Sequence, residues 1–348
     1  SKTIKNRYRL ITDEAPEELI ASVMKFNNTT RLYDTRPFEK KKWDNLKKKI
    51  RYYQGTLSEM LSKHLNLSMN THRGKKNISR AWIKLYEILE LTGIIPKNRK
   101  TYKSLMCCEA PGNFVLAMNH YIKTKTNIEK FDWVAQTLNP SNDSIDNYAG
   151  FGDDYGIIRK HKKRWDFGFK NTGDITDSDN IHYYKTMYPN VDVITSDCGT
   201  DWGAKDDLFT SKLIYAEMLL ILNNLAIGKN FVIKYYTTFA AYPSHIALIY
   251  LMFCCFDELI FYKSLQNPFS PEFYIIGKKR HLELTEDQLS ILFKLLDNYN
   301  MYKTPIKTSS FPNEFIAQYS MAISKITDRL CFYIERNIYY IDMLNEGI

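Results

Sequence analysis

The sequence lacks any hydrophobic run long enough to cross a membrane as a helix. Its longest apolar stretch, residues 246–256, is well short of the roughly 20 residues that such a helix needs. The N-terminal segment 1–5 is polar and basic and has no apolar centre of the kind a secretory signal requires. Internal repeats and low-complexity segments are also missing. These absences favour a globular chain that works away from membranes.

Cysteine is scarce, and no two cysteines have the Cys-x-x-Cys spacing of a zinc or redox motif. The cysteines are Cys107, Cys108, Cys198, Cys254, Cys255 and Cys331. Adjacent residues of a strand point to opposite faces of a sheet, so the two adjacent pairs are poor candidates for shared sites. We therefore predict reduced core thiols, with neither a disulfide framework nor a bound metal. This expectation places the chain in a reducing compartment, the cytoplasm first and the nucleus as an alternative.

Length and charge set broad limits on what the chain does. With 348 residues, 44% of them hydrophobic, it can bury one large core or two ordinary ones. The formal net charge is +9, and the sequence pI is about 9.0. A cationic surface favours polyanionic partners, nucleic acid first, although a solubilising excess of charge would give the same composition.

From about residue 72 the hydrophobic pattern alternates between strands and helices. The predicted strands are residues 105–108, 133–138, 165–169, 191–196, 231–236, 258–262 and 273–276. The predicted helices in this region are residues 79–91, 113–121, 208–227 and 245–255. Such alternation is typical of an α/β fold with a doubly wound, mostly parallel, Rossmann-like sheet. No helix separates the last two strands, which predicts an antiparallel hairpin at one edge.

Two flanking segments differ from this central region. Residues 1–71 are polar and basic, with helical patterns at 17–26 and 43–65, and residues 285–348 are mostly helical. We therefore expect a central domain over residues 72–284 with a helical extension on each side.

Four ionisable residues are candidates for a functional site. Two of them occupy positions where a charge is unusual, and the local sequence does not decide the role of the other two. Asp197 and Lys234 each end an apolar strand, and they should project into the crevice above the sheet because charge is seldom left within a core. If those strands are neighbours, the two side chains should lie close together. Glu272 begins the final strand. Lys84 lies in an amphipathic helix, where a solvated surface lysine would be the ordinary interpretation.

Two turns are candidates for holding a cofactor. Residues 107–114, Cys-Cys-Glu-Ala-Pro-Gly-Asn-Phe, follow a strand and open a helix, which is where cofactors bind in open α/β folds. An ordinary strand–helix connection is the slightly preferred interpretation of this motif alone. Asp174 follows Gly173, where its carboxylate could accept a hydrogen bond from an adenine amino group or could serve as a turn residue.

In order and spacing these features together resemble the FtsJ family of RNA ribose 2′-O-methyltransferases. Residues 79–84 resemble its Ser-Arg-Ala-x-x-Lys motif, residues 109–114 its Ala-Pro-Gly cofactor loop, and residues 270–274 its Ser-x-Glu-x-Tyr strand. The chain is most similar to the branch that forms cap-1 on animal mRNA, through residues 136–140, 173–176 and 248–256. The resemblance covers about residues 72–280. Abundant Lys, Asn, Ile and Tyr also relate the chain to FtsJ-like proteins of large DNA viruses.

The resemblance implies an S-adenosylmethionine-dependent enzyme that methylates a ribose 2′-OH at the capped 5′ end of mRNA, without a metal. Lys84, Asp197, Lys234 and Glu272 would form its catalytic tetrad. We expect Lys234 to be the base, because two lysines in a partly desolvated site lower the pKa of one of them. The cofactor would lie against Glu109, Ala110, Pro111, Gly112, Asn113, Phe114, Asp174, Ile175 and Asp197.

One departure from the family pattern favours a protein with weak or no catalytic activity. Asn113 replaces the usual second glycine of the cofactor loop, so its side chain is expected to crowd the methionine end of the cofactor. The alternative function is therefore an RNA-binding or scaffold protein with little or no turnover. A base-methylating enzyme is a poorer match, because residues 197–199 do not form the Asn/Asp-Pro-Pro-Tyr-type loop that such enzymes use.

The RNA contacts are predicted from basic residues. The candidates for holding phosphates are Arg80, Arg159, Lys160, Lys162, Lys163 and Arg164. A solvated loop explains the last five equally well. A cap-binding site would need aromatic rings that stack on the charged guanine, and the sequence does not identify them. Other capping or transcription proteins are further expected partners.

Overall fold

The computed structural model describes residues 10–71, 74–76, 78–140, 153–199, 207–266 and 268–347. Its strands are β1 (Ile11–Thr12), β2 (Met69–Thr71), β3 (Gly74–Lys76), β4 (Thr101–Cys107), β5 (Lys130–Ala135), β6 (Val193–Ser196), β7 (Asn230–Tyr236), β8 (Phe256–Tyr262), β9 (Glu272–Arg280) and β10 (Lys303–Thr304). Its helices are α1 (Glu17–Asp34), α2 (Lys40–His64), α3 (Arg80–Thr92), α4 (Asn113–Lys125), α5 (Ile157–Lys160), α6 (Ser178–Met187), α7 (Asp207–Asn224), α8 (Pro243–Cys255), α9 (Glu286–Asp297) and α10 (Asn313–Glu346).

A six-stranded mixed sheet in the order β5-β4-β6-β7-β9-β8 forms the centre of the fold. The strands β5, β4, β6 and β7 are parallel, whereas β9 runs antiparallel to both β7 and β8. The chain enters at β4 and moves first to one side and then to the other, so the sheet is doubly wound. This topology confirms the predicted Rossmann-like α/β class and the antiparallel edge hairpin.

Separate apolar clusters cover the two faces of the sheet. Along β4, Leu105 belongs to the cluster under α6, α7 and α8, while its neighbour Met106 belongs to the cluster under α3 and α4. Both faces of the parallel strands are therefore buried, and all four residues of β6 lie in the interior. Charged side chains of β6 and β7 are accordingly found at the strand ends.

The segments that flank the central region pack against each other. Leu19 and Phe26 of α1 share an apolar cluster with Leu330 of α10, and β1 pairs with β10. An ion pair of 2.6 Å between Lys25 Nζ and Asp328 Oδ1 joins the same two helices. The predicted helices at residues 17–26 and 43–65 are present as the longer α1 and α2. The proposed division at residues 71/72 and 284/285 remains a prediction.

Two sequence predictions are wrong. Residues 165–169 do not form a strand, because only Trp165 makes a single bridge, to Ala135. Cys108 and Cys198 are joined as a disulfide instead of being reduced core thiols. The other four cysteines are free, as predicted. Within the described ranges, no helix is both long and apolar enough to span a membrane.

Candidate active site

The four residues predicted to be catalytic meet at the carboxyl edge of the parallel strands. Asp197 directly follows β6, and Lys234 lies near the end of the neighbouring β7. Glu272 opens β9 opposite Tyr236 of β7, which brings it to the same edge. Lys84 reaches this edge from the first half of α3, and its side chain is buried rather than solvated. The structure therefore brings the four side chains together, and their catalytic role remains a proposal.

Each lysine of this group has a carboxylate partner. Lys84 Nζ is ion-paired with Glu272 Oε1. Lys234 Nζ lies 3.1 Å from Asp197 Oδ1 and donates a 2.9 Å hydrogen bond to the Asp197 carbonyl oxygen. The hydroxyl of Tyr274 also donates to Asp197 Oδ1, at 2.9 Å. The two charge pairs are thus hydrogen-bonded and side by side.

The electrostatics of Lys234 differ from the expectation that a second lysine lowers its pKa. Burial does lower the pKa of Lys234, but the charge of Asp197, followed by Tyr236 and Glu272, outweighs burial and raises the pKa above its ordinary value. For Glu272 burial acts in the raising direction, and the charges of Lys84 and then Lys234 hold its pKa below the ordinary value. These neighbouring charges therefore favour the ammonium form of Lys234.

A third buried lysine lies beside the group and was missed by the sequence reasoning. Lys263 directly follows β8 and donates a 2.7 Å hydrogen bond to the Glu272 carbonyl oxygen and another to the Ser270 carbonyl oxygen. Burial, with smaller contributions from Lys84 and Arg329, lowers the pKa of Lys263 to about 7, although Glu272 opposes this. The signal that singled out Lys234, a lysine at the end of an apolar strand, is weaker here because β8 contains the exposed residues Asp257 and Glu258.

The loop after β4 is held by a buried carboxyl group. Glu109 Oε1 accepts hydrogen bonds from the backbone amides of Phe114 and Val115, at 2.8 and 2.9 Å. Burial, mainly, raises the pKa of Glu109 to about 8. The Glu109 side chain is therefore occupied at the start of α4, and the cofactor contacts proposed for residues 109–114 would come largely from the backbone.

Asn113 connects this loop to the helix that carries Lys84. Its Oδ1 accepts a 2.6 Å hydrogen bond from Ser79 Oγ, and Ser79 Oγ in turn accepts a 3.1 Å hydrogen bond from the amide of Trp82 in the first turn of α3. The residue that was expected to crowd the cofactor thus has its side chain bonded to the N-cap of α3.

Gln136 joins the two turns that were predicted to hold the cofactor. Its Oε1 accepts a 3.0 Å hydrogen bond from the Cys108 amide, and its Nε2 donates to the Gly173 carbonyl oxygen. Gly173 has φ +70°, and a Cβ there would lie 1.8 Å from the carbonyl oxygen of Thr137, so only glycine fits. Gln136 therefore fixes the distance between the loop after β4 and the turn at Asp174.

The turn at Asp174 is arranged by its own side chain. Asp174 Oδ1 accepts 2.8 Å hydrogen bonds from both the amide and the hydroxyl of Thr176, and the carboxylate is half-exposed. Ile175 is buried in the core, so the cofactor contact predicted for it would have to come from its backbone. The arrangement matches the turn-residue interpretation and leaves part of the carboxylate accessible.

A family profile decides the relationship of this chain to known proteins. The profile of FtsJ-like methyltransferases matches residues 78–280. This range contains Lys84, Asp197, Lys234 and Glu272, which we call the ionic group. The chain belongs to the FtsJ-like methyltransferase family. The predicted family is thereby confirmed.

Relatives of this FtsJ-like chain occur in large DNA viruses and in animals. It is 31% identical to protein L511 of Acanthamoeba polyphaga mimivirus over 98% of its own length and 42% of that protein. It is 33% identical to cap-specific mRNA (nucleoside-2′-O-)-methyltransferase 2 of Danio rerio, over 64% of this chain and 30% of that protein. It is also 28% identical to methyltransferase EP424R of African swine fever virus, over 72% of this chain and 60% of that protein. The chain thus spans between 30% and 60% of these relatives.

Solved structures are more distant. One is the crystal structure of SMU.1697c from Streptococcus mutans, described as a methyltransferase in complex with SAH. Its TM-score is 0.35 and its identity 14%, over 58% of this chain and 99% of that one. The class I S-adenosylmethionine-dependent methyltransferase structure of lmo1582 from Listeria monocytogenes has a TM-score of 0.40 and 9% identity, covering 89% and 98%. The fold assignment rests on the sheet topology described above.

The basic residues predicted to bind RNA are divided by the structure of the FtsJ-like chain. Arg164 Nη1 pairs with Asp132 at 2.9 Å, and Arg159 Nε pairs with Asp153 at 3.2 Å, so these two guanidinium groups have internal partners. Arg80 is exposed one helical turn before Lys84. The exposed lysines of this region are Lys160, Lys162 and Lys163.

Proposed function

We propose that this chain is an S-adenosylmethionine-dependent RNA ribose 2′-O-methyltransferase that converts cap-0 to cap-1 on mRNA. One observation carries the proposal: Lys84–Glu272 and Lys234–Asp197 form adjacent buried ion pairs at the carboxyl edge of an FtsJ-like sheet. The name of the Danio rerio relative supports an RNA substrate and the 2′-oxygen as acceptor. The choice of the first transcribed nucleotide comes from the sequence resemblance to the cap-1 branch.

The residues at the strand ends fit S-adenosylmethionine. Gly112 has φ +109°, and a Cβ there would lie 2.7 Å from Ile157 Cδ1, so the turn before α4 requires glycine. Asp197, whose side chain is 18% exposed, offers a carboxylate to a positive sulfonium. The accessible carboxylate of Asp174 is suited to an adenine amino group, and Gln136 holds that turn at a fixed position relative to Gly112. When bound, S-adenosylmethionine supplies an electrophilic methyl group and a positive charge.

The chain's own residues would then handle the proton of the 2′-OH. Lys234 accepts that proton only after losing its own, because an ammonium ion has no free lone pair. A positive sulfonium bound beside Lys234 would favour this loss, because it disfavours a second positive charge in a desolvated site, whereas Asp197 and Glu272 oppose it. Lys84, held by Glu272, would donate a hydrogen bond to the ribose oxygen. Asp197 and Tyr274 fix the direction in which the Lys234 amine points.

The RNA phosphates would be bound by exposed basic residues that have no ion pair among the residues the structure describes. Arg80 is on the face of α3 that carries Lys84, so it is suited to the phosphate next to the target ribose. Lys160, Lys162 and Lys163 would hold a more distant part of the strand. Recruitment of other capping proteins remains a further proposal.

Methyl transfer to short RNAs tests the function directly. Cap-0 RNA should be methylated at the ribose of its first nucleotide, and the same RNA without a cap should be a poorer substrate. The Lys234→Ala variant should lose transfer while retaining S-adenosylmethionine binding in calorimetry. Lys294→Ala, which removes an exposed lysine of α9, is the matched control and should remain active. Cofactor binding without transfer by the unaltered chain, or no cofactor binding, would instead support the RNA-binding scaffold.

A further inference from the structure

The second half of α10 presents aromatic rings and a guanidinium group to the loop between β8 and β9. Tyr333, Arg336 and Tyr340 are spaced three and four residues apart, which places them on one face of the helix. The Arg336 guanidinium lies 5.1 Å from the ring centre of Tyr333, 5.8 Å from that of Tyr340 and 5.3 Å from that of Phe269 in the loop. We name Phe269, Tyr333, Arg336 and Tyr340 the aromatic–arginine cluster.

The aromatic–arginine cluster is close to the ionic group. Phe269 precedes Glu272 by three residues, a distance of at most roughly 10 Å along an extended chain. The intervening Ser270 is fixed, because its Oγ accepts a 3.2 Å hydrogen bond from the Glu272 amide and its carbonyl oxygen accepts one from Lys263. A strand of RNA whose ribose reaches Glu272 would therefore pass beside the cluster.

The charges of α10 are segregated between its faces. Asp328 and Asp342, fourteen residues apart and thus on one side of the helix, pair with Lys25 and Arg36 of the α1 region. Arg329 lies on the other side, where its charge acts on Tyr262 and Lys263. The side of α10 near Lys263 therefore carries the positive charge of Arg329, whereas Asp328 and Asp342 are paired with basic residues on another side.

The cluster is also accessible. Phe269, Tyr333, Arg336 and Tyr340 are all partly exposed. Phe332 and Tyr339 continue the aromatic surface with exposures of 62% and 59%. Arg336 Nε is itself buried and, in the part of the chain that the structure describes, has no hydrogen-bond partner. Three rings surround the guanidinium, and the residues that carry them are partly exposed.

We propose that the aromatic–arginine cluster binds single-stranded RNA next to the target ribose, with bases stacked on the rings and a phosphate on Arg336. Proteins hold single-stranded RNA by stacking unpaired bases on aromatic rings and arginine planes, and by a cationic groove along the backbone. Both elements occur here within one helix face and the adjoining loop. This proposal rests on the proposed RNA methyltransferase function, and it adds the surface that holds the strand.

RNA affinity measured without cofactor tests the surface. Fluorescence anisotropy with a short uncapped single-stranded RNA should show that Tyr333→Leu and Tyr340→Leu each weaken binding by roughly 5- to 100-fold. Arg336→Gln should lower the slope of log affinity against log salt by about one, whereas Arg336→Lys should keep the slope and lose part of the affinity. Tyr302→Leu and Arg31→Gln, which alter exposed residues elsewhere, are the matched controls and should bind like the unaltered chain.

Unchanged RNA affinity in folded cluster variants would overturn the proposal, and this includes the case in which the surface binds a protein instead. Photocrosslinking of thiouridine-containing RNA to the unaltered chain removes the dependence on variant folding. Crosslinked peptides should contain residues 332–340 or Phe269, and crosslinks confined to other segments would contradict the assignment. Failure of the proposed function is distinguishable, since methyl transfer would then be absent while the cluster variants still differed in RNA affinity.

Discussion

Lys84 and Glu272 form an ion pair across 188 residues of sequence, between the first turns of α3 and the first residue of β9. The side chains are 10% and 12% exposed, so water compensates little if either partner is removed. The pair joins the helix from one face of the sheet to the antiparallel hairpin at its edge. The pair therefore has a structural effect that can be separated from its proposed catalytic one.

Glu272→Gln should abolish methyl transfer and destabilise the fold. The substitution leaves Lys84 as a buried charge without its carboxylate, which typically costs about 3–5 kcal/mol. Urea unfolding of Lys84→Met, Glu272→Gln and the double variant gives the coupling energy. The double variant should regain part of the stability of Glu272→Gln without regaining activity. Additive losses of stability would contradict direct coupling between the two side chains.

Lys263 makes the stability of the chain depend on pH above neutrality. The pKa of Lys263 is lowered to about 7 in the folded chain, mainly by burial, from the ordinary 10.5. Between these values the unfolded chain binds one more proton than the folded chain, so the free energy of unfolding rises with pH by about 1.4 kcal/mol per unit from this group. Below pH 7 both states carry the proton and the contribution to the slope vanishes.

The difference between the unaltered chain and Lys263→Met isolates this contribution. Chemical denaturation at a series of pH values should show that the rise between pH 7 and 10 is smaller in the variant. Lys294→Met, which changes an exposed lysine of α9, should retain the full rise. Parallel curves for the unaltered chain and Lys263→Met would show that Lys263 keeps an ordinary pKa.

Asn113→Ala should lower turnover more than cofactor affinity. The variant loses the hydrogen bond to Ser79 and with it the link between the cofactor loop and the helix that carries Lys84, at a cost of about 1 kcal/mol. Calorimetry with S-adenosylmethionine and steady-state rates separate the two effects. Asn127→Ala, which removes an exposed amide hydrogen bond to Asn98, is the control. Tighter cofactor binding with unchanged turnover would restore the crowding interpretation.

Gly199→Ala should reduce turnover without a large loss of stability. A Cβ at this position would lie 3.2 Å from Lys234 Nζ, so the amine must shift by a few tenths of an ångström. Small displacements of a catalytic group lower the rate, by up to about 100-fold for 1 Å. Single-turnover rates and thermal unfolding measure both quantities. An unchanged rate would indicate that the position of Lys234 in the loaded site is set by other contacts.

The positions of Asp197 and Lys234 follow from sequence because charge at the end of an apolar strand has few explanations. Parallel pairing of β6 with β7 brings the two residues together. The signal is weaker for Lys263, because the strand before it contains Asp257 and Glu258. The direction of the Lys234 pKa shift does not follow from the sequence, because it depends on which carboxylate each lysine contacts. The register of β7 and β9 determines those contacts.

Other features depend on contacts that a local pattern does not contain. The Cys108–Cys198 pair joins residues 90 positions apart, so no local pattern indicates it. Cys107 pairs with Ser196 in β4 and β6, which brings Cys108 and Cys198, one and two residues beyond the strands, to the same edge of the sheet. The aromatic–arginine cluster likewise requires the packing of α10 against a loop more than sixty residues earlier.

The packing of α1 on α10 has a consequence for how the molecule is assembled. Contacts such as Lys25–Asp328 and Arg36–Asp342 join residues separated by 303 and 306 positions. Leu19 and Leu330 belong to the same apolar cluster as α7 and α8. During synthesis the apolar side of α1 therefore stays without α10 until that helix has left the ribosome. Closing so long a loop is slow, so the nascent chain exposes apolar surface that favours protection by a chaperone.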